Sequence, residues 1–418
     1  MQKGAVYTVT PTGMAQGGDA VARIDGRACF VTGALPGEVV EIQVTHVTPT
    51  YVRAVVTNVV TPSPDRVAPK VPGAPHMEWQ HIDHAAQTRY KMDILRDQLS
   101  HLGKIQGLPE IEAVTGSQPW HYRNNARLHG YGAYLGYRAD GSAHVTEILD
   151  DPLLQPALQE AVAALREALK LHPPEARHHW SVVLRLSETT GEIVAAFIEL
   201  PNRVAIALKA AWIELCPRVV GVQMPWGGFE GAETIKERHM GITLDLRATT
   251  FFQVSLGAAQ ALCDTVLDEL GDTTGQRIID AYCGAGTFTL PLARVSDRVI
   301  GIEEYTPAVE NGQTNAWNNK LENVEWYNES VEKGIMHVHH ADAVVLDPPR
   351  KGCHPAVIQS LLRFKPTKIA YVSCHPGTLA RDVGLLTAEG YTVQSVHCVD
   401  CFPQTAHIES VVLLTRVG

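Results

Sequence analysis

The 418-residue chain has no apolar run approaching the roughly 18 residues of a membrane-spanning helix, which argues against an integral helical membrane protein. The segment Met1-Gln2-Lys3-Gly4-Ala5 lacks the apolar core of a secretory signal, so a cytoplasmic protein is expected. Positive charge is also short. With 35 Lys and Arg against 45 Asp and Glu, the formal net charge is -10. Phosphate neutralisation dominates nucleic-acid affinity, so a partner of that class requires the basic residues to gather on one face. The eight cysteines (Cys29, Cys216, Cys263, Cys283, Cys353, Cys374, Cys398 and Cys401) are scattered, which excludes a disulfide framework. A lone C-x-x-C, Cys398 to Cys401 with His397 and His407 nearby, lacks the second pair that a tetrahedral zinc site needs. It reads as strand-end cysteines, and no metal is expected. No internal repeat is present.

What is there is a globular composition, 45% apolar and 19% charged, long enough for two or three domains. Residues 1–62 hold five short β-branched runs (Val6–Val9, Ala20–Ile24, Ala28–Val31, Glu38–Val44 and Tyr51–Val56). Gly17-Gly18, Asp25-Gly26 and Pro36-Gly37 separate them. This pattern predicts a small OB-like β-barrel, either an oligonucleotide binder or a packing module. The proline-rich stretch Thr61 to Pro75 is the candidate linker. A central α+β domain is expected over 75–245. It comprises a helix from about His84 to Leu102, strands within Trp120–Leu149 and Ser181–Ile198, and an amphipathic helix over Leu153–Leu171. Over 250–418 strands and helices alternate, which predicts a Rossmann-like parallel sheet closed by antiparallel strands near Tyr391–Val399 and Ser410–Thr415. The fold class is therefore multidomain α/β.

The strand Arg277–Asp280 runs into Ala281-Tyr282-Cys283-Gly284-Ala285-Gly286-Thr287, with a helix start expected at Thr287. Glycines allow close approach to a ligand at the position where doubly wound sheets bind cofactors. A second strand ends about twenty residues on at Glu303, where a carboxylate can accept from ribose hydroxyls. The third-glycine position of a dinucleotide site holds Thr289. That disfavours NAD and favours S-adenosylmethionine.

Two further strand ends carry chemistry. Asp347-Pro348-Pro349-Arg350 fixes a carboxylate beyond an apolar strand. A similar Asp-Pro-Pro turn grips exocyclic amines in amino-methyltransferases, but there an aromatic residue follows instead of Arg. Cys374 follows another apolar strand, ahead of His375-Pro376, and Phe402 to Glu409 lies downstream. Carbon 5 of uracil is a poor nucleophile. A thiolate adding at carbon 6 activates it, and a base must then remove the carbon 5 proton. Cys374 and a carboxylate supply those groups.

At these residues the chain resembles the RNA 5-methyluridine methyltransferase family. The matching stretches are Phe251-Phe252-Gln253, Asp280 to Thr287, Glu303, Asp347 to Gly352, Ser373 to Pro376 and Phe402 to Glu409. The N-terminal barrel is similar to the TRAM domain, and Trp79-Gln80-His81 and Trp120 to Asn124 look like central-domain motifs of the same family. The resemblance implies S-adenosylmethionine as cofactor, Cys374 as nucleophile and Glu409 as base. It places Gln253, Tyr282, Thr287, Glu303, Ser330 and Asp347 at cofactor-contacting positions.

The chain departs from the family pattern in three places. Many rRNA-directed members bind a [4Fe-4S] cluster through four cysteines, but here Ala74, Met77 and Asp151 stand at aligned positions, so no cluster is expected. His375 replaces the usual Asn after the nucleophile, and Ser255 replaces an Asn after Phe-Phe-Gln. A TRAM domain favours 23S ribosomal RNA as target over the transfer-RNA T-loop. The base must leave its stack to reach Cys374. Arg123, Arg127, Arg138, Arg350 and Lys351 are candidate phosphate contacts or plain solvated charges. A monomer is expected. An amino-group methyltransferase and a non-enzymatic RNA-binding assembly protein are the competing readings.

Overall fold

The computed structural model describes residues 2–138, 142 and 144–416. The N-terminal unit is a six-stranded sheet. Its five expected strands are joined by a two-residue strand, Gly13–Met14, too short to read from periodicity. Alternation along Val39–Val47 turns Val40, Ile42 and Val44 inward onto Ala20, Cys29 and Val52. Register shifts at Val39/Val40, Glu41/Ile42 and Val44/His46 add the local twist that lets the sheet curl around this core.

The proline-rich stretch is not a free tether. Glu38 is fully buried and takes both Arg66 Nε (2.6 Å) and Arg66 Nη2 (2.7 Å). The backbone N–H groups of Leu35 and Ser63 also donate to this carboxylate. Four donors offset its desolvation and hold it below the usual range, and the same bonds clip residues 63–66 to the barrel.

The central domain is a seven-stranded sheet centred on Asn125–Tyr131, His179–Leu186 and Ile193–Ile198. Helices Pro156–Leu171 and Asn202–Leu215 cover one face, with Trp180 and Trp212 in the core. The second helix, which lacks a side-chain N-cap, was not among the elements expected from the sequence. The opposite face is partly covered by the hairpin Ile235–His239/Ile242–Leu246.

The third unit is an eight-stranded sheet. Five parallel strands run in the order Val324–Asn328, Arg298–Glu303, Arg277–Ala281, Ala343–Leu346, Lys368–Ser373. Glu409–Arg416 then pairs antiparallel to Lys368–Ser373, and Tyr391–Asp400 pairs antiparallel to it in turn. Ala343–Leu346 and Tyr371 are buried, as expected of strands with helices on both faces.

One assignment changes. The sequence reading put residues 84–115 with the central domain. In the structure Ile111–Thr115 is the last strand of the C-terminal sheet, parallel to Tyr391–Asp400. Helix His84–Asp97, capped by Asp83, packs Ile94 and Leu95 into that sheet's core, and a wide turn at Gln98–Leu102 continues it. Burial decides the placement. Lys91, 1% exposed, donates to Asp400 Oδ1 (2.8 Å) and to the Phe402 carbonyl (2.9 Å), while His84 bonds Asp400 Oδ2 at 2.8 Å. Gln87 is fully buried and exchanges hydrogen bonds with Gln404 through both side chain and backbone. This helix thus anchors the loop 401–408.

Lys91→Met leaves the Asp400 carboxylate buried without its ammonium. A loss of about 3–5 kcal/mol is expected, read as a lower urea midpoint by tryptophan fluorescence. An unchanged midpoint would contradict the anchoring role.

Candidate active site

A cavity of about 580 Å³ opens at the carboxyl edge of the C-terminal sheet, lined by residues from five of its strand ends. At the first, Tyr282 adopts φ 66°, a left-handed conformation that is uncommon for a non-glycine residue and costs strain. The turn is held because Tyr282 N–H and Cys283 N–H both donate to the Ile302 carbonyl, at 3.0 and 3.1 Å. Gly284 follows at φ 54°, and a Cβ there would project into open space on the cavity wall. Its N–H donates to Glu303 Oε2 (3.1 Å), and Tyr305 N–H donates to Glu303 Oε1 (2.8 Å). The acid is thereby aimed over the glycine turn. The helix begins at Thr289 rather than Thr287, because the turn takes up the intervening residues. The hydroxyl of Thr289 donates to buried Asp280 at 2.5 Å, so this position serves the strand rather than a third glycine.

Gln253, Tyr282, Thr287, Glu303 and Asp347 all line the cavity. Ser330 does not. It precedes Val331 and Glu332, which do, and its buried hydroxyl lacks a hydrogen-bond partner. Gln253 is buried, on a segment held where Asn124 N–H donates to the Val254 carbonyl at 2.8 Å. Phe251, Tyr305 and His354 are further lining residues that motif reading did not assign. His354 lies beyond the Asp-Pro-Pro turn, where only folding brings it to the cavity.

Cys374 ends strand Lys368–Ser373, and Glu409 starts its antiparallel neighbour. Pairing of Ser373 with Ser410 sets the register, so Cys374 and Glu409 are the next opposed positions. Opposed residues share a face with Cβ atoms about 4.5–5.5 Å apart. Both side chains line the cavity, with Asp347 beside them. Cys374 alone among the eight cysteines is not buried.

The electrostatics follow from desolvation. Burial, reinforced by Glu409 and Asp347, pushes the Cys374 thiol up to about 11, against a smaller opposing pull from Arg350. Burial and the neighbouring Asp280 raise Asp347 to about 7. Glu409 goes well above the carboxylate range for the same first reason, with Asp347 adding to it. Burial is the main cause at all three groups, and repulsion among their negative forms adds to it.

Two of the three departures from the family pattern, Ser255 and His375, have one explanation. Ser255 caps helix Leu256–Leu270 by accepting from Ala258 N–H at 2.9 Å. His375 caps helix Pro376–Thr387, its Nδ1 accepting from Thr378 N–H at 3.2 Å. Asn is a cap of the same kind, so Ser and His preserve the bond that the position requires. The other ring nitrogen, Nε2, lies 2.7 Å from Nε2 of the Gln16 side-chain amide in the barrel. This contact ties the barrel to the residue next to Cys374.

A more open cleft of about 690 Å³ lies elsewhere, between residues 112–122 and 255–269. Glu112, Glu188, Asp264, Asp268 and Glu269 line it, a charge opposite to what a phosphate backbone needs.

At the aligned cluster positions Ala74 and Met77 are buried among Tyr122, Tyr137 and Leu153. Asp151 bonds His76 Nε2 (3.0 Å) and Tyr137 OH (2.5 Å), and the His76 ring stacks on Tyr137 with centroids 3.8 Å apart. This donor set offers no thiolate to an iron–sulfur cluster. No group of three His, Cys, Asp or Glu side chains converges as metal ligands among the described residues. Among those residues, too, no helix is long and apolar enough to cross a membrane.

The tRNA (uracil-5-)-methyltransferase family model matches residues 233–417, and the TRAM model matches residues 1–57. A 23S rRNA (uracil(1939)-C(5))-methyltransferase of Alkalilimnicola ehrlichii is 33% identical, over 98% of this chain and 96% of its own. An uncharacterized RNA methyltransferase of Thermosynechococcus vestitus is 32% identical over 99% of both chains. Among solved structures, the Pyrococcus abyssi tRNA (uracil-54, C5)-methyltransferase in complex with S-adenosyl-L-homocysteine aligns with a TM-score of 0.77. Its identity is 25%, over 98% of this chain and all of that one. A cysteine and a carboxylate brought to one cavity by neighbouring strands, a glycine turn under an acid and an N-terminal TRAM barrel agree with these likenesses. The chain belongs to the tRNA (uracil-5-)-methyltransferase family, S-adenosylmethionine-dependent enzymes acting on uracil carbon 5 in RNA.

Proposed function

We propose that this protein methylates carbon 5 of a uridine in 23S ribosomal RNA, with Cys374 as nucleophile and Glu409 as base. The observation that carries the mechanism is that Cys374 and Glu409, each one residue beyond the Ser373/Ser410 pair, line one cavity. The rRNA target is supported by the Alkalilimnicola ehrlichii relative, similar over nearly its whole length including the TRAM barrel. A transfer-RNA uridine is the second reading, favoured by the Pyrococcus abyssi structure.

Gln253, Tyr282, Thr287, Glu303 and Asp347 would hold S-adenosylmethionine, whose sulfonium supplies an electrophilic methyl group when bound. Glu303 suits the ribose hydroxyls, and Gly284 leaves its wall open to the ligand. Ser330 would act at one remove, by positioning Val331 and Glu332. Cys374 gives its proton to solvent water and its sulfur adds to uracil carbon 6, placing electron density on carbon 5. After carbon 5 is methylated, Glu409 takes the carbon 5 proton and the carbon 6–sulfur bond breaks, returning the thiolate. A carboxylate buried beside the adduct meets that demand, because burial raises its basicity. An amino-group transfer needs neither a thiol nor an opposed base, and the family assignment leaves that reading without support.

Cys374→Ala is expected to abolish both turnover and any covalent RNA adduct. Glu409→Gln is expected to slow turnover by at least about 100-fold while adduct accumulates on a denaturing gel. An adduct formed by Cys374→Ala would overturn the assignment.

The thiol also titrates. Its ionised fraction grows as pH rises toward about 11, so iodoacetamide should modify Cys374 slowly at neutral pH and progressively faster above pH 8. Peptide mass mapping isolates this site because the other seven cysteines are buried. A rate already at plateau by pH 8 would contradict the raised thiol.

A further inference from the structure

On the central sheet, strand Asn125–Tyr131 turns Ala126 and Leu128 into the core. The alternate residues Arg127, His129 and Tyr131 face the other way. Pairing extends this outer face, with His179 opposite Tyr131 and also Tyr134 opposite Tyr131. Arg138 joins it, its Nη2 lying 2.7 Å from His179 Nδ1. The Tyr131 and His179 rings lie 4.9 Å apart, and Tyr134 is 64% exposed. No Asp or Glu occupies these face positions, in a chain whose net charge is -10.

Only the far part of this face is covered. The hairpin 235–246 packs on Val183, Val194 and Ala196. Arg185, on the same face, donates through Nε to the Arg247 carbonyl (3.1 Å) and through Nη2 to the Thr250 carbonyl (2.6 Å). The next residues, Phe251 and Gln253, line the active-site cavity, and Phe251 is 67% exposed. The covering segment 247–250 thus runs on into the cavity wall at Phe251, and the open face extends along strand 125–131 for roughly 20 Å at about 3.3 Å per residue.

We propose that this face is a second RNA-binding site, taking the single-stranded segment that flanks the target uridine. Bases stack on Tyr131, Tyr134 and His179, and phosphates pair with Arg127 and Arg138. Aromatic rings interleaved with cations on an open sheet, without acids, complement a single strand, whose bases are free to stack and whose backbone is anionic. A duplex hides its bases and gains nothing from the rings. The inference rests on RNA being the substrate and adds where that RNA runs.

The test is binding of the full chain to unmodified 23S rRNA, a uridine-rich single-stranded oligoribonucleotide and an RNA duplex, across a salt series. Tyr131→Ala is expected to weaken single-strand binding at least about fivefold and leave duplex binding unchanged. Arg127→Gln and Arg138→Gln are each expected to lower the slope of log affinity against log salt by about 0.7. Unaltered S-adenosylhomocysteine affinity certifies each fold. Unchanged single-strand affinity and slope in these folded variants would overturn the proposal, as would a loss confined to the duplex. Binding is read without turnover, so failure of the methylation reading leaves this result separately legible.

Discussion

The site depends on one strand running the wrong way. In a parallel sheet every strand delivers its carboxyl end to the same edge, and here that edge receives Asp280 through Thr287, Glu303, Asp347 and Cys374. Glu409–Arg416 is antiparallel, so it brings its first residue to that edge instead. Glu409 therefore comes from the loop 401–408, and the loop must be held. Lys91, Gln87, Glu78, Tyr122 and the Trp79 backbone all bond to it. Helix His84–Asp97 and the central domain are, in this sense, parts of the active site without touching its cavity.

The second constraint is charge. Asp280, Asp347, Glu409 and Cys374 share a poorly solvated region with Arg350 as their main opposing charge. Desolvation raises every member of this set, so the thiol and its neighbouring acids are tuned together rather than one by one. Arg350 is itself within 3.2 Å of His407 on the anchored loop, so its position depends on the same strand reversal.

Much of this was legible in the sequence. The barrel, the glycine turn, the antiparallel closure and the groups Cys374, Glu303 and Asp347 each left a local mark, since strands, turns and strand ends are set by neighbouring residues, whereas Glu409 was singled out by the family resemblance. What was not legible depended on distant partners. Strand Ile111–Thr115 is apolar enough for either sheet, and only its pairing with Tyr391–Asp400 decides. The clasp on the candidate linker left no local mark because Glu38 lies 28 residues before Arg66. His375 and Ser255 read as departures, and became helix caps once Thr378 and Ala258 were placed beneath them. Ser330 stands one residue before the cavity-lining Val331, a distinction that spacing alone does not make.

The most direct test incubates the protein with labelled S-adenosylmethionine and, separately, unmodified 23S rRNA and unmodified tRNA, then identifies the product nucleoside by mass. The account predicts 5-methyluridine in 23S rRNA. Label confined to tRNA would contradict the assigned target, and label on an exocyclic nitrogen, or no 5-methyluridine in either RNA, would contradict the chemistry built on Cys374 and Glu409.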